Sequence, residues 1–434
     1  MVKLFYSFNV LFFSLLTFFT SYNSDKIEFE DMTICGDSHF ENYTLSSNSN
    51  NPITISKSTQ SAFELDPTKA YSMPMLNQTA NGKVFMTWTE KDDAQKTHFC
   101  MAFSNDNGKT FDEKKIISSG YGIANNRLMK AKVLARRNGE LFAVFMNNPS
   151  ATAPSSGGRG SRGGEVSFSV SKDNGNSWSA IQPVDTDPTK GLLRGFFDAT
   201  LLANDEIAVA YLKDVKNSTK HEERDLRLSI TKNGVFQEEK LIDPIVCDCC
   251  SISLLVDATG ALNVYYRDNN DDIRDFSKMT STDNGLTFTK PAIVFNDEWK
   301  IQGCPHNGAV SNIFGKSSLI SWYTGATKET GIKLATHEGK KLLVITDPSA
   351  KNQNIISNKS ISLLLWEQNQ AESGVSHLLY REINNNGVSE TIALDGTLNA
   401  TNVTALLVDN QLIVAHEVKQ TNKQNTLKIS TINL

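Results

Sequence analysis

Four of the six cysteines lie in two short motifs whose residue types could do chemistry. The motif Val246-Cys-Asp-Cys-Cys250 places three thiols within four residues, and Gly303-Cys-Pro-His306 adds a fourth thiol and an imidazole. Thiols in even number can pair as disulfides. Thiolates and imidazoles are also the ligands that bind copper or zinc. The candidate residues are therefore Cys247, Cys249, Cys250, Cys304 and His306.

Two interpretations of this cluster remain open. In the first, which we favour, Cys304 forms a disulfide with Cys249 or Cys250, as an exported chain permits. In the second, the thiols and the imidazole form a soft-metal site, to which Met73 or Met129 could add a thioether. The spacing Cys-x-Cys-Cys is more crowded than the familiar zinc motifs, which weakens the case for zinc.

A repeated eight-residue pattern indicates the elements that position these motifs. It reads Ser-x-Asp-x-Gly-x-Thr/Ser-aromatic and occurs at 104–111, 171–178 and 281–288. The aspartate can accept hydrogen bonds from turn amides, and the glycine can adopt positive φ, so each copy predicts a tight turn between two strands. The aromatic residue is expected to fill the space between sheets.

Strand hairpins recur around these turns from residue 83 to residue 431. The turn glycines fall at 108, 175, 234, 285, 339 and 387, and each interval suits one four-stranded blade with its loops. The sequence therefore predicts an all-β fold, a single β-propeller over residues 57–434. Counting hairpins gives seven blades, with six as the alternative. A strand near Pro52–Ser56 is expected to complete the last blade and close the ring.

The repeated pattern resembles the Asp box of the sialidase-like, or exo-α-sialidase-like, β-propeller family. This resemblance implies a fold, and the site must be judged separately. The family carries an aromatic-Arg-Ile-Pro motif before its first box, and its arginine grips the substrate carboxylate. Here the matching stretch is Tyr71-Ser-Met-Pro74, so Ser72 stands in place of that arginine. Ordinary sialidase activity is therefore not expected, because a hydroxyl cannot replace a charged bidentate fork.

The propeller register places segments that precede the innermost strands at one mouth of the central channel. A reduced anion grip is expected there from Arg194, Arg267 and Arg274. A structural ion-pair corner is the alternative for the Arg267-Asp268 and Arg274-Asp275 pairs. The glycine-rich loop 156–164 could add Arg159 and Arg162 as part of a lid. The weak candidates for a catalytic acid are Asp198, Asp214 and Asp268.

Composition and the N-terminus limit the class of protein. A formal net charge of -5 disfavours nucleic acid as a partner. Residues 1–24 combine Lys3 with an apolar run and are interpreted as a signal peptide, which predicts secretion or a periplasmic location without stable membrane insertion. Residues 25–56 are expected to form a linker that ends in the candidate ring-closing strand. We expect a monomer.

Three functions are compatible with these observations. The first is an exported propeller that binds or acts on a glycan or other anionic ligand; as an enzyme it would be a glycoside hydrolase of the exo-α-sialidase type. The second is a propeller that binds copper or zinc, or carries out redox chemistry, at the cysteine cluster. The third is a scaffold that presents its loops to a protein partner.

Overall fold

The computed structural model describes residues 54–154, 164–187, 189, 192–218, 223–371, 373–421 and 424–434. The proposed signal peptide, residues 25–53 of the linker, and both Arg159 and Arg162 lie outside these ranges. Within them, all regular secondary structure is β-strand, from β1 to β32. No helix in these ranges is long and apolar enough to cross a membrane.

The strands form seven antiparallel sheets that follow one another along the chain as blades. Blade one contains β3 (Ala70–Gln78), β4 (Val84–Lys91), β5 (Thr97–Ser104) and β6 (Lys115–Gly120). Blade two contains β7 (Ile123–Ala124), β8 (Lys132–Ala135), β9 (Leu141–Asn147), β10 (Glu165–Ser171) and β11 (Gln182–Pro183). Blade three contains β12 (Arg194–Leu201), β13 (Ile207–Asp214), β14 (Arg224–Lys232), β15 (Val235–Phe236) and β16 (Lys240–Val246).

The remaining four blades repeat this order. Blade four contains β17 (Ser253–Val256), β18 (Leu262–Arg267), β19 (Phe276–Ser281) and β20 (Ala292–Ile293). Blade five contains β21 (Val310–Phe314), β22 (Ser317–Thr324), β23 (Gly331–Thr336) and β24 (Lys341–Ile345). Blade six contains β25 (Lys351–Ser357), β26 (Ser362–Asn369), β27 (Ser376–Asn384), β28 (Gly387–Val388) and β29 (Ile392–Leu394). Blade seven contains β30 (Ala400–Val408), β31 (Gln411–Val418) and β32 (Thr426–Asn433).

Two N-terminal strands join the last two blades. β1 (Thr54–Ser56) runs parallel to β29 in blade six, and β2 (Thr59–Gln60) runs antiparallel to β32 in blade seven. The sequence-based assignment of Pro52–Ser56 to the last blade is therefore wrong. A two-residue strand, displaced a few residues along the chain, completes that blade. Seven blades, rather than the alternative six, are confirmed.

Each pair of neighbouring blades shares a hydrophobic core, which shows that the ring is closed. One cluster, for example, joins Tyr71 and Val84 of blade one to Ile413 and Leu427 of blade seven. Six further clusters join the other consecutive pairs. The strand that follows the inner strand in each blade is largely buried, and in β9 (Leu141–Asn147) all seven residues are buried.

The three eight-residue turns share one hydrogen-bond pattern. In the second copy the Ser171 hydroxyl donates to Asp173 at 2.8 Å, and both the N–H and the hydroxyl of Ser177 donate to the same carboxylate, at 2.9 and 2.6 Å. Gly175 has φ 77°, and a Cβ there would lie 2.9 Å from Met101 Sδ in blade one. The glycine is therefore required both for its conformation and for close packing of the blades.

Asp173 should make stability depend on pH at the acid end of the scale. Hydrogen bonds from Ser177, and then from Ser171, lower its pKa from 3.8 to about 2. A carboxyl whose pKa is lowered in the folded state contributes stability above its unfolded pKa, and this is lost as pH falls through the folded value. We expect Asp173→Asn to lower the melting temperature at pH 6 and to have much less effect near pH 2. Calorimetry at both pH values measures this, and an equal effect at both would contradict it.

Buried glutamates connect three successive inner strands. β3, β25 and β30 each contain a bulge in which one residue has positive φ: Met73, Asn352 and Asn402. The N–H of Met73 donates to Glu417 Oε1 at 2.8 Å, and the N–H of Asn402 donates to Glu367 Oε1 at 2.6 Å. In both cases a carboxylate on the second strand of one blade binds the bulge of the next blade, which fixes their relative position.

Candidate functional site

Three of the thiols lie in the loop 247–252, which leads from β16 in blade three to β17 in blade four. Cys247, Cys249 and Cys250 are almost fully buried. The N–H of Cys247 donates to the carbonyl of Arg267 at 3.1 Å, which attaches this loop to the second strand of blade four. Cys247 Sγ lies 3.1 Å from Cys250 Sγ and 3.9 Å from Cys249 Sγ. The loop therefore presents three sulfurs around one point.

The second motif meets the first from the loop between blades four and five. The donor atoms of Cys249, Cys304 and His306 lie within 4.8 Å of one another, as do those of Cys247, Cys249 and Cys250. Cys304 is half-buried, and its thiol lies 3.7 Å from Asp248 Oδ1. All five cysteines that the structure describes are free thiols. The structure thus brings the two motifs into one cysteine centre, which consists of the four thiols and the imidazole.

Local backbone geometry explains why the two loops approach so closely. His306 has φ 48°, a left-handed conformation that turns the chain directly after Pro305. Gly308 packs against the first loop, because a Cβ at this position would lie 2.5 Å from Ser251 Cβ and 2.7 Å from Ser251 O. Only glycine leaves room for this contact. The segment 304–308 therefore supplies two donors, Cys304 and His306, and also the glycine that lets the two loops approach each other.

The surroundings favour a thiolate at Cys247 alone of the three thiols in the first loop, because hydrogen bonding with Cys247 raises the pKa of Cys249 and burial raises the pKa of Cys250. Hydrogen bonds with Cys249 and Cys250 lower the pKa of Cys247 well below its ordinary value, and the charge of Arg267 acts in the same direction. Burial lowers the pKa of His306, which keeps the imidazole neutral near pH 7. A neutral imidazole and a thiolate are the protonation states in which these groups bind metals.

Arg267 lies beside the centre without a carboxylate ion pair among the described residues. Its guanidinium, 2% exposed, donates to the carbonyls of Arg274 and Tyr323 and to Asn307 Oδ1, the last two at 2.9 and 2.5 Å. It also lies over the rings of Phe276 and Trp299. All these partners are neutral. A buried guanidinium without a close counter-ion is costly, and the charge of Arg267 acts on both the Cys247 thiol and the Asp275 carboxyl.

The other two arginines of the expected anion grip are also buried. Arg194 pairs with Asp185 and donates to three carbonyls at 3.0 to 3.2 Å. Arg274 lies 3.7 Å from Asp272, and its Nε and Nη1 find no hydrogen-bond partner among the described residues. Arg267 donates to the carbonyl of Arg274, so these two arginines are in contact. Arg194 belongs to a separate ion-pair network with Asp185. A ligand carboxylate would have to displace internal contacts to reach all three.

The three aspartates considered as catalytic acids make structural contacts. Asp198 accepts hydrogen bonds from the N–H groups of Leu254 and Ala199, both at 2.8 Å, and pairs with Lys132. Asp214 accepts from the Leu193 N–H and from Arg224, at 2.9 and 3.0 Å. Asp268 accepts from Asn269, Asn270 and Ser277 at 2.8 to 3.3 Å. Each carboxylate thus holds loops or strands together.

A segment of blade two crosses the mouth beside the cysteine centre. The carbonyl of Leu128 accepts a hydrogen bond from Ser251 in the cysteine loop, and Arg127 donates to Asn352 in blade six. Lys130 follows, half-buried, and interacts electrostatically with Glu367 and Glu417. This mouth segment, residues 125–130, therefore contacts blades on opposite sides of the channel.

A separate cavity of about 610 Å³ lies at the seam where the N-terminal strands meet blade seven. Its lining is polar and includes Lys109, Gln411 and Asn433, without the thiols, histidine or buried arginines described above. We give this cavity less weight than the cysteine centre, because size alone does not provide convergent reactive groups.

Comparison with solved structures supports the fold. A protein of unknown function from Dyadobacter fermentans superimposes with a TM-score of 0.52 and 13% identity, covering 87% of this chain and 99% of its own. The polysaccharide lyase Uly1 gives 0.51 and 10% identity, covering 92% and 95%. A sialidase from Trypanosoma rangeli gives 0.49 and 14% identity, and this chain spans 59% of its length. The fold is a seven-bladed β-propeller.

At these identities the likeness of the propeller to its structural neighbours concerns the fold alone. No family profile matches the sequence, and no curated protein resembles it significantly. Ser72 lies on the innermost strand of blade one, where its hydroxyl is 2.8 Å from that of Thr89. Ser72 thus lies on the inner strand where the sequence predicted it, and its hydroxyl contacts Thr89 of the same blade.

Several residues that shape the mouth of this propeller could not be found from the spacing of residues along the sequence. Asp248 stands between two cysteines, yet only the structure places it beside Cys304. Glu367 and Glu417 are single glutamates on apolar strands, without a neighbouring motif. Their burial, at 1% and 2% exposure, is the feature that distinguishes them.

Proposed function

We propose that this protein binds a soft metal ion, copper as Cu(I) or zinc, at the cysteine centre. The observation that carries the proposal is the convergence of four thiols and one imidazole from two loops on neighbouring blades. Soft thiolates select Cu(I) and zinc among biological metals, and imidazole suits both. The buried Arg267 lacks a carboxylate partner and would balance the negative charge of metal-bound thiolates.

A disulfide remains the competing state of the same residues. The sulfurs of Cys247 and Cys250 are 3.1 Å apart, so oxidation would require them to approach by about 1 Å to reach bonding distance. A disulfide would remove two donors and would leave the centre unable to gather three sulfurs around one ion. The two states can therefore be separated by counting thiols and metal in the same sample.

The test uses the full-length protein carrying Cys35→Ser and Cys100→Ser, which leaves only the four thiols of the centre. Cys100 is a buried residue of β5 in blade one and belongs to its core cluster. The reduced protein should compete for Cu(I) with a chromogenic chelator under anaerobic conditions, and at least one equivalent should bind. Cys304→Ser should weaken this binding by tenfold or more. Failure to bind copper or zinc with four titratable thiols present would refute the proposal.

A second candidate function is the binding of an anionic glycan at the same mouth. The fold is compatible with glycan binding or processing. The specific observation is Lys130, whose ammonium lies half-buried at the channel without a hydrogen bond or ion pair among the described residues. Lys130→Met should then lower the affinity for a uronate-containing polysaccharide, whereas Lys316→Met, at an exposed turn, should not. Equal affinities for both variants would remove this candidate.

Cleavage of simple sialosides is expected to be weak or absent. Ser72 stands where the resemblance places a carboxylate-gripping arginine, and loss of a charged contact typically costs at least 2 kcal/mol. That cost corresponds to a rate at least about 30-fold below that of an ordinary sialidase. A fluorogenic sialoside measures this directly. Turnover equal to that of a sialidase control would show that the alignment of 71–74 with the family motif is wrong.

A further inference from the structure

The two donor sets of the cysteine centre overlap in one residue. Cys247, Cys249 and Cys250 form the first set, and Cys249, Cys304 and His306 form the second. Within each set the donor atoms lie within 4.8 Å of one another, and no larger set among the described residues meets this limit. Cys249 is therefore the single donor that both sets share.

One ion cannot use all five donors in this arrangement. A metal–sulfur bond is about 2.3 Å long, so two sulfurs on the same ion can be at most about 4.6 Å apart. With three donors at about 120°, the same bond length gives about 4.0 Å between sulfurs. Cys247 and Cys249 match that separation at 3.9 Å, whereas Cys250 Sγ, 3.1 Å from Cys247 Sγ, would have to move outward by about 0.9 Å. The remaining donors, Cys304 and His306, gather with Cys249 around a second point.

We propose that the centre binds two Cu(I) ions and that the thiolate of Cys249 bridges them. The inference rests on the proposed function, since it assumes that the centre binds metal. Each ion would have three donors: two further thiolates on the first ion, and Cys304 with His306 on the second. Three donors per ion favour Cu(I), because structural zinc is almost always four-coordinate.

The charges near the centre agree with two monovalent ions. Four thiolates carry four negative charges, and two Cu(I) ions return two, which leaves the cluster with two negative charges. Arg267 lies buried beside the centre and has no carboxylate within 4.0 Å among the described residues, so its charge would offset part of this. Arg274 is also buried, but it pairs with Asp272 at 3.7 Å. Binding would release one proton for each thiol that becomes a thiolate, and no oxidant or reductant is consumed.

Copper stoichiometry tests the inference. The Cys35→Ser, Cys100→Ser protein, reduced and anaerobic, is titrated with Cu(I) against a chromogenic chelator. Two tight equivalents are expected. Cys250→Ser damages only the first set and His306→Ala only the second, so each should retain one equivalent. Cys249→Ser removes the bridge and should bind neither ion tightly. His306 is half-buried, so its variant remains informative if a buried cysteine variant fails to fold.

The possible outcomes separate this inference from the function on which it rests. If the unsubstituted centre binds neither copper nor zinc, both fail, whereas binding of zinc without copper would overturn only the two-copper inference. One tight equivalent, abolished equally by Cys250→Ser and His306→Ala, would keep the metal site and overturn the bridge. Two equivalents that both survive Cys249→Ser would also overturn it. X-ray absorption of the loaded protein gives a second readout, because a shared thiolate requires a copper–copper scattering contribution.

Discussion

Replacement of Arg267 by alanine is expected to lower the free energy of unfolding by about 3–5 kcal/mol. The side chain satisfies two backbone carbonyls and Asn307, and it fills the space over two aromatic rings. Removing it would leave three acceptors unpaired and a cavity between blades four and five. Urea unfolding, followed by tryptophan fluorescence, measures the change.

Arg267→Lys and Arg137→Ala are the matched controls for this experiment. Lysine keeps the charge but lacks the planar guanidinium group, so the free energy of unfolding of Arg267→Lys should lie between that of the wild type and that of Arg267→Ala. Arg137 is exposed on a hairpin of blade two, and its replacement should change stability by less than about 1 kcal/mol. A change at Arg267 as small as that at Arg137 would show that its contacts do not stabilise the fold.

Glu417→Ala should be almost as damaging, at about 3–4 kcal/mol. The carboxylate, 2% exposed, accepts hydrogen bonds from the Met73 N–H at 2.8 Å, from Asn402 at 2.9 Å and from Asn425 at 3.0 Å. Alanine would leave these three donors unpaired at the boundary between blades seven and one. Thermal unfolding compared with the wild type tests this, and an unchanged midpoint would contradict the proposed role.

The destabilisation caused by Glu417→Gln is expected to depend on pH. Burial raises the pKa of Glu417 above its usual value, even though the hydrogen bonds oppose this. A raised folded pKa contributes stability below the unfolded pKa of about 4.3, and this contribution is lost as pH rises through the folded value. The difference in the free energy of unfolding between the wild type and Glu417→Gln should therefore be smallest at the higher pH. If the destabilisation caused by Glu417→Gln instead grew with rising pH, hydrogen bonding would outweigh burial in setting the pKa of Glu417.

The fold was predictable because its signals are local and repeated. The turn glycines Gly108, Gly175 and Gly285 each combine positive φ with close packing, so the sequence must retain them at intervals of one blade. Ring closure was less predictable. Thr59 and Gln60 are both exposed and form a strand of two residues, which has no apolar alternation to mark it.

The site was predictable only in part. Motifs that precede successive inner strands must meet at one mouth, and this argument brings Cys304 beside Cys249. The contacts of Arg194 with Asp185, and of Arg267 with backbone carbonyls, depend on which rotamers fit the packed interior. Spacing along the chain contains no information on that choice, so residue type alone could not show that Arg194 pairs with Asp185 or that Arg267 donates to backbone carbonyls.

The two N-terminal strands have a consequence for the order in which the chain can fold as it is synthesised. β1 and β2 emerge first, yet their partners lie in β29 and β32, more than 300 residues later. Early blades can form from their own hairpins, but β1 has no partner until β29 is available, and β2 has none until β32, the last strand, is available. We therefore expect ring closure to be the last step of folding. A chain that stalls in its last fifty residues would remain open and would be a target for aggregation and proteolysis.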